Sequence, residues 1–91
     1  GKYKIDLNSR ELISKKNVLK LTEKETNILI YLSKSNDAVG VDQLQSEVWQ
    51  YHSNLETHTV ETHIYRLRKK IFKTFNDENF IISKKNGYQI N

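Results

Sequence analysis

The segment 58–73 constrains the fold most, because its apolar residues recur at a spacing that brings them onto one side of a helix. Val60, Ile64, Leu67 and Ile71 follow one another at intervals of four, three and four residues. On a helical wheel this spacing forms one narrow stripe, so the segment is predicted to be a helix docked on the core by that stripe. The opposite side is predicted to carry basic and polar side chains, namely His58, Thr62, Arg66 and Lys69, with Thr59, His63 and Lys70 at its edges.

The same segment holds the excess positive charge of the chain. The net charge is +4, and residues 58–73 supply all of it, with two arginines and three lysines against Glu61. Such a local positive field favours a polyanionic partner, although a charge run is also typical of a solvated helix face. Two of the chain's three arginines lie here, and the planar guanidinium suits phosphate groups and guanine edges better than the point charge of lysine.

Residues 3–21 are predicted to form short antiparallel strands. Apolar and polar residues alternate from Tyr3 to Leu7, which is the period of a strand with one buried face. Polar turns at 8–10 and 15–17 divide the segment into three runs, and this pattern indicates an antiparallel meander.

Two shorter helices are predicted between this meander and the basic segment. Thr22 and Glu25 have the spacing of a capping box, in which each side chain accepts a hydrogen bond from the other residue's amide. The helix that follows is predicted over about residues 23–34. A second helix, opened by Asp42, is predicted over about residues 42–50.

The last segment, residues 80–90, is predicted to be a β-hairpin. Two apolar runs flank the sequence Lys84-Lys85-Asn86-Gly87, and Asn-Gly is the strongest short-range signal of a hairpin turn. A basic hairpin tip directly after a basic helix is the arrangement of a winged helix-turn-helix.

The composition limits the classes of function. A chain of 91 residues forms one domain with a modest core, and no run of about 18 apolar residues is present. Zero cysteines exclude disulfides and thiolate metal sites, and are compatible with a reducing, cytoplasmic location. The sequence has no glycine-rich phosphate loop or nucleophile motif, and the spacing of His52, His58 and His63 is unsuited to zinc. We therefore expect no enzyme activity, no cofactor and no metal.

A set of residues at fixed spacing carries a family resemblance. The set consists of Trp49, Tyr51, the sequence Thr-Val-Glu-Thr-His-Ile-Tyr-Arg-Leu-Arg-Lys-Lys-Ile at 59–71, and the terminal pair Gly87-Tyr88. Together they resemble the DNA-binding domain of OmpR/PhoB-type response regulators over nearly the whole chain. The resemblance implies a single α+β domain of the winged helix-turn-helix type, with an N-terminal antiparallel sheet of four strands, three helices and a hairpin wing.

The resemblance also implies a function, which is sequence-specific binding of double-stranded DNA by a bacterial transcription regulator, as the output domain of a two-component system. The helix 58–73 is expected in the major groove and the wing residues 84–88 at the minor groove. By position, the residues that match DNA-contacting sites of the family are His58, Thr59, His63, Tyr65, Arg66 and Arg68 of the helix, Trp49 near the phosphates, and Lys84 and Tyr88 of the wing. Charge and wheel position add Thr62, Lys69, Lys70 and the wing-tip Lys85.

Protein partners are implied as well. The short loop after the second helix matches the segment through which family members touch RNA polymerase, and its residues are Gln50, Tyr51, His52, Ser53, Asn54, Leu55 and Glu56. Relatives usually bind as dimers on direct-repeat DNA, so the domain is expected to be a monomer when isolated and a dimer on such DNA. No contact with a membrane is expected.

Three positions depart from the family pattern. His58 stands where Arg is common, Lys84-Lys85 where Arg-Gly is common, and Ile82 where Thr is usual. A lysine wing keeps the positive charge but loses the bidentate fork of arginine, so the target sequence of a relative cannot be transferred to this chain.

Several roles stay open at this stage. Arg68 lies near the apolar stripe on the wheel and fits an ion pair within the protein as well as a phosphate contact. Trp49 fits the core first and a phosphate second. Glu61 fits either a hydrogen bond from cytosine N4 or an ion pair that holds an arginine in position. The alternative function is a winged-helix module that binds protein or RNA, and an exposed apolar patch on the third helix would favour protein binding.

Overall fold

The computed structural model describes residues 3–49 and 57–90, which form eight regular elements in an α+β arrangement. In chain order the elements are β1 (Lys4–Asp6), β2 (Glu11–Ser14), β3 (Asn17–Lys20), α1 (Glu23–Ser33), α2 (Val41–Val48), α3 (Thr57–Phe75), β4 (Ile81–Lys84) and β5 (Gly87–Ile90). The hairpin of β4 and β5 is called the wing below. Within the described ranges, no helix combines the length and the apolar character needed to cross a membrane.

The N-terminal sheet has three antiparallel strands in the order β1-β2-β3. Ile5, Leu12 and Leu19 lie side by side across them, and this row packs on the core. The sheet of four strands implied by the family resemblance is therefore wrong for the described residues, whereas the three runs visible in the sequence are confirmed. The chain leaves no room for a fourth strand after β3, because the Leu21 amide donates to the Arg10 carbonyl (2.8 Å) and α1 begins two residues later.

Helix α1 begins at the capping box that the sequence predicts. The Thr22 hydroxyl accepts a hydrogen bond from the Glu25 amide (3.2 Å), and the Glu25 carboxylate accepts one from the Thr22 amide (2.9 Å). These bonds satisfy two amides that have no partner within the helix. The helix ends at Ser33, one residue earlier than predicted, with Lys34 as its C-cap.

Helix α2 begins at Val41, one residue earlier than predicted, because Gly40 rather than a side chain forms its N-cap. Asp42 therefore lies in the first turn, where its negative charge faces the positive end of the helix dipole. The last helical residue is Val48, and the predicted end at residue 50 lies outside the described residues.

Helix α3 is docked by the predicted stripe, whose four residues are each at most 1% exposed. The helix is longer than the predicted 58–73 at both ends. At its C-terminus, Phe75 extends the stripe by one turn and meets Tyr3 edge-on, with ring centroids 5.1 Å apart. The helix stops where Asn76 takes a positive φ of 56°, a conformation that commonly ends helices.

The wing is held against the middle of the fold by a backbone bridge. Val39, which precedes α2, and Tyr88 exchange two amide hydrogen bonds of 2.7 and 2.9 Å. Gly87 allows this close approach, because its φ is 148° and a Cβ there would lie 2.1 Å from the Val39 carbonyl oxygen. Strand pairing runs up to Lys84 and Gly87 at the turn, so the predicted hairpin is confirmed.

Candidate nucleic-acid interface

Helix α3 presents a polar side opposite its buried stripe. His58, Arg66 and Lys69 are exposed there and Thr62 is half-buried; these four residues are called the outer face below. The Thr62 hydroxyl donates to the His58 carbonyl (3.0 Å), which leaves its oxygen free to accept a further bond. Neither Arg66 nor Lys69 forms an ion pair with a carboxylate of the described residues. Both charges are therefore available to an external anion.

Lys70 points away from the outer face and stabilises the fold. Its ammonium lies 2.7 Å from a Glu25 carboxylate oxygen, and the Glu25 side chain is 8% exposed. The same oxygen accepts from the Thr22 amide, so the ion pair joins α3 to the start of α1. The structure thus separates Lys70 from the other cations that were predicted to contact DNA, because a buried carboxylate holds its ammonium.

Glu61 and Arg68 of α3 both act through their charges on Tyr88 of the wing. Arg68 is half-buried and Glu61 is exposed. The pKa of Tyr88 is raised, first by burial and then by the negative charge of Glu61, while the positive charge of Arg68 opposes the rise. Arg68 forms no ion pair with a carboxylate in the described part of the chain. The intramolecular pair that the sequence left open for Arg68 is therefore not formed there.

A cleft of about 320 Å³ lies between α3 and the wing. Glu61 lines it from the helix, and Lys84, Lys85 and Tyr88 line it from the wing. Both lysines are exposed, whereas Tyr88 is half-buried and fixed by its bridge to Val39. The structure therefore places the predicted wing residues across a cleft from Glu61 of α3.

Trp49 joins the core to the edge of α3. It is half-buried against the core, as predicted, and its ring meets that of His63 edge-on with centroids 5.0 Å apart. Lys24 of α1 lies 5.9 Å from the Trp49 ring centre and donates to the Val48 carbonyl (3.4 Å). Sequence reasoning missed Lys24, because nothing in its own helix indicates that α1 brings it to the end of α2. Thr59, in the first turn of α3, is half-buried.

Two exposed aromatic residues of α3 form an apolar surface that the helical wheel did not predict. Tyr65 is 62% exposed and Phe72 is 46% exposed, and their spacing of seven residues puts them on one side of the helix. They border an open groove of about 540 Å³ that Lys69 and Lys73 also line. The Lys69 ammonium lies 5.3 Å from the Tyr65 ring centre. We call Tyr65 and Phe72 the aromatic patch; it is the kind of feature that favours a protein-binding surface.

Some predictions concern residues that the structure does not describe. The proposed polymerase contact, residues 50–56, lies outside the described residues. Among the side chains of the described residues, no group of three or more His, Cys, Asp or Glu is arranged to hold a metal ion.

Comparison with known sequences gives the family of the chain. Residues 15–90 match the protein family described as "Transcriptional regulatory protein, C terminal". The transcriptional regulatory protein SrrA of Staphylococcus aureus is 38% identical over 68 residues, which are 74% of this chain and 28% of SrrA. The chain therefore spans little more than a quarter of the length of this relative.

Comparison with solved structures gives the same fold. A redox sensor of the streptococci, described as evolved from two-component response regulators, superposes with a TM-score of 0.86 and 26% identity, over 100% of this chain and 40% of that chain. The DNA-binding domain of the response regulator AdeR, solved in complex with an intercistronic region, superposes with a TM-score of 0.83 and 21% identity, over 100% of this chain and 95% of that domain. The second likeness is one of fold alone.

The family match covers most of the chain and confirms the resemblance found in the sequence. The chain belongs to the family of transcriptional regulatory protein C-terminal domains, the DNA-binding output domains of OmpR/PhoB-type response regulators.

Proposed function

We propose that this domain binds double-stranded DNA in a sequence-specific manner, as the output domain of a bacterial response regulator in the cytoplasm. The outer face of α3 supports the proposal most directly, because Arg66 and Lys69 are exposed there without a described carboxylate as partner. A major groove admits a helix, and recognition helices contact base edges mainly through their N-terminal residues. Helix α3 enters the groove in this proposal, and the wing reaches the neighbouring minor groove.

The proposed contacts divide into anchoring and reading. Exposed lysines attract phosphates without carrying sequence information. Arg66 reads bases, because one guanidinium can donate to both O6 and N7 of a guanine, a contact that discriminates by about 1–3 kcal/mol. The anchoring residues are Lys69, Lys73, Lys84 and Lys85. The remaining proposed contacts are His58, Thr59, Thr62, His63, Tyr65 and Arg68 on α3, Trp49 near the phosphates and Tyr88 in the wing.

The relatives support a wider proposal for the whole regulator. SrrA is named a transcriptional regulatory protein, and the AdeR domain was solved in complex with an intercistronic region. By analogy with the family, this domain binds direct-repeat DNA as a dimer and is a monomer when isolated. Residues 50–56 are proposed to contact RNA polymerase. These assignments rest on shared family membership.

The aromatic patch supports a second candidate function, which is docking of a protein segment. Tyr65 and Phe72 expose apolar surface beside the charges of Lys69 and Lys73. Such a surface suits a partner segment that carries both apolar and acidic side chains. Docking of this kind needs neither DNA nor Arg66, so the two candidate functions respond differently to the same substitution.

Two linked measurements test the DNA function. The first titrates a fluorescent duplex of mixed sequence at several salt concentrations, and the second selects binders from a random duplex library. Affinity is expected to fall steeply with salt, because phosphates that the protein neutralises release their counterions. The library is expected to yield one short motif. Arg66→Ala is expected to lose preference at one position and to bind the selected motif roughly 5- to 150-fold more weakly.

Arg10→Ala is the matched control for Arg66→Ala. It removes the same charge from the turn between β1 and β2, where Arg10 lies 4.0 Å from Glu23 in an exposed pair. This variant is expected to select the same motif as the original protein. If no motif emerges and Arg66→Ala binds like the original protein, the DNA proposal is wrong. Protein docking at the aromatic patch is then the candidate that remains.

A further inference from the structure

Glu61 is an unusual residue at this interface. It is the one acidic residue among the 19 residues of α3, and the other charged side chains of the helix are lysines and arginines. Glu61 is exposed and lines the cleft that Lys84 and Lys85 line from the wing. A carboxylate in this place works against attraction to DNA, so its presence calls for a physical reason.

The fold provides no such reason in the described residues. The ion pairs found there join Arg10 to Glu23 and Lys70 to Glu25, so Glu61 does not hold an arginine in position. Helix-dipole stabilisation is a second ordinary role for an acid, but it falls off within the first turn, and no acidic residue lies in the first turn of α3. The neighbours of Glu61 four residues away are Thr57 and Tyr65, so no lysine or arginine pairs with it along the helix.

The position of Glu61 points to the DNA instead. It is the fifth residue of α3, in the N-terminal half through which recognition helices contact base edges. Its negative charge acts on Tyr88, in the wing, as does the opposing charge of Arg68. The carboxylate therefore lies on the wing-facing edge of α3, between the helix and the basic tip of the wing.

The chemistry of the major groove restricts what a carboxylate there can bind. An ionised carboxylate only accepts hydrogen bonds, and it is repelled by phosphates. The hydrogen-bond donors that bases present in the major groove are the amino groups of cytosine N4 and adenine N6. Adenine carries the acceptor N7 beside its amino group, which repels the second carboxylate oxygen, whereas cytosine has no acceptor on that side. A buried carboxylate without a donor is costly, so a cytosine is the base that this site favours.

We propose that Glu61 accepts a hydrogen bond from the N4 amino group of a cytosine in the major groove and thereby sets the base preference at one position of the DNA site. The inference rests on the proposed DNA function. It predicts that Glu61 reduces affinity for most sequences and spares those that place a cytosine opposite it. Glu61 is then a specificity-determining residue, in contrast to the lysines, which attract every sequence.

Selection from a random duplex library with four proteins tests this inference: the original chain, Glu61→Gln, Glu61→Ala and the control Glu47→Gln. Glu47 is exposed on α2, so the control removes one negative charge away from α3. The original chain and the control are expected to select a motif with a cytosine at one position. Glu61→Gln is expected to select adenine there, because a glutamine amide pairs with N6 and N7 of adenine. Glu61→Ala is expected to lose preference at that position and keep it elsewhere.

Direct titration then measures the coupling between residue and base. Replacing the selected cytosine by thymine is expected to weaken binding of the original chain roughly 5- to 150-fold and that of Glu61→Ala by less than about threefold. If Glu61→Ala selects the unchanged motif, or gains affinity equally on all sequences, Glu61 does not read a base and the inference fails while the DNA function stands. If the original chain selects no motif, both fail. Circular dichroism establishes that each variant is folded, as expected for changes at exposed positions.

Discussion

Helix α3 carries cations on two sides, and the two sides use them differently. Toward α1, Lys70 is paired with a nearly buried carboxylate of Glu25 at 2.7 Å. On the outer face, Arg66 and Lys69 stay exposed without a described carboxylate as partner. Lys69 and Lys70 are adjacent in the chain, but the helix turns them about 100° apart. A count of charges therefore does not separate a cation that stabilises the fold from one that is free to meet DNA.

The largest expected effect comes from the apolar stripe that keeps the two sides of α3 apart. Leu67 is 0% exposed, so Leu67→Ala is expected to lower the free energy of unfolding by about 2–5 kcal/mol through lost contacts and a residual cavity. Urea denaturation followed by circular dichroism measures the change. The control is Phe72→Ala on the same helix, which is expected to change stability by about 0.5 kcal/mol, because Phe72 is partly exposed. Equal losses in the two variants would contradict docking by this stripe.

The next effect concerns the inner cation. Lys70→Met keeps the length of the side chain but removes the charge, so Glu25 stays nearly buried without its partner. A loss of about 1–2 kcal/mol in the free energy of unfolding is expected, between the values for exposed and buried pairs, because Lys70 is 37% exposed. Urea denaturation measures it.

A double-mutant cycle with Glu25→Gln isolates this pair. Glutamine at position 25 can still accept from the Thr22 amide, so it keeps the capping box and removes only the charge. The double variant Glu25→Gln with Lys70→Met is expected to be more stable than the sum of the two single losses predicts. Strict additivity would show that the 2.7 Å pair contributes nothing to the link between α1 and α3.

Features that depend on local spacing could be predicted from the sequence. The capping box of Thr22 and Glu25, the stripe of α3 and the hairpin turn before Gly87 each follow from residues a few positions apart. The N-terminal sheet follows the same rule, because the described residues form only the strands that local spacing indicates. Three strands were visible in the residues themselves, and the fourth came only from the family resemblance.

Features that depend on contacts between distant elements could not be predicted. Lys70 and Glu25 are 45 residues apart in the chain, and no local pattern indicates that they meet. The same holds for Lys24 at the ring of Trp49. The aromatic patch was missed for a different reason, since the wheel positions of α3 were judged by charge, and an exposed Phe72 does not follow from its apolar character.

A smaller effect is expected at the C-terminal end of the inner side, where Tyr3 donates to an Asp77 carboxylate (2.7 Å). Burial, this hydrogen bond and the charge of Asp77 raise the pKa of Tyr3 from 10.0 to about 12. Because the folded pKa is the higher one, the associated stabilisation is fully present below pH 10 and is lost as the pH rises through about 12. Tyr3→Phe is expected to cost about 0.5–1 kcal/mol at pH 8.

Urea denaturation between pH 8 and 12 checks the sign of this effect. The original protein is expected to lose stability faster than Tyr3→Phe between pH 10 and 12, because only the original protein has this phenol to ionise beside Asp77. Subtracting the pH profile of unfolding free energy of Tyr3→Phe from that of the original protein cancels the titration of all other groups. Parallel pH profiles would show that the Tyr3 hydroxyl does not link β1 to the end of α3.

The smallest effect on stability is expected for the outer cation next to Lys70. Lys69→Ala removes an exposed ammonium that has no described carboxylate partner, so its free energy of unfolding should change by less than about 0.5 kcal/mol. Its effect should appear in DNA binding instead. One lost phosphate contact lowers the slope of log affinity against log salt by about 0.9, which anisotropy titrations measure. Lys16→Ala, in the exposed turn between β2 and β3, is the control and should leave the slope unchanged. If Lys70→Met lowered the slope as much as Lys69→Ala and left stability intact, both lysines would face DNA, and the two sides of α3 would not differ in the way proposed.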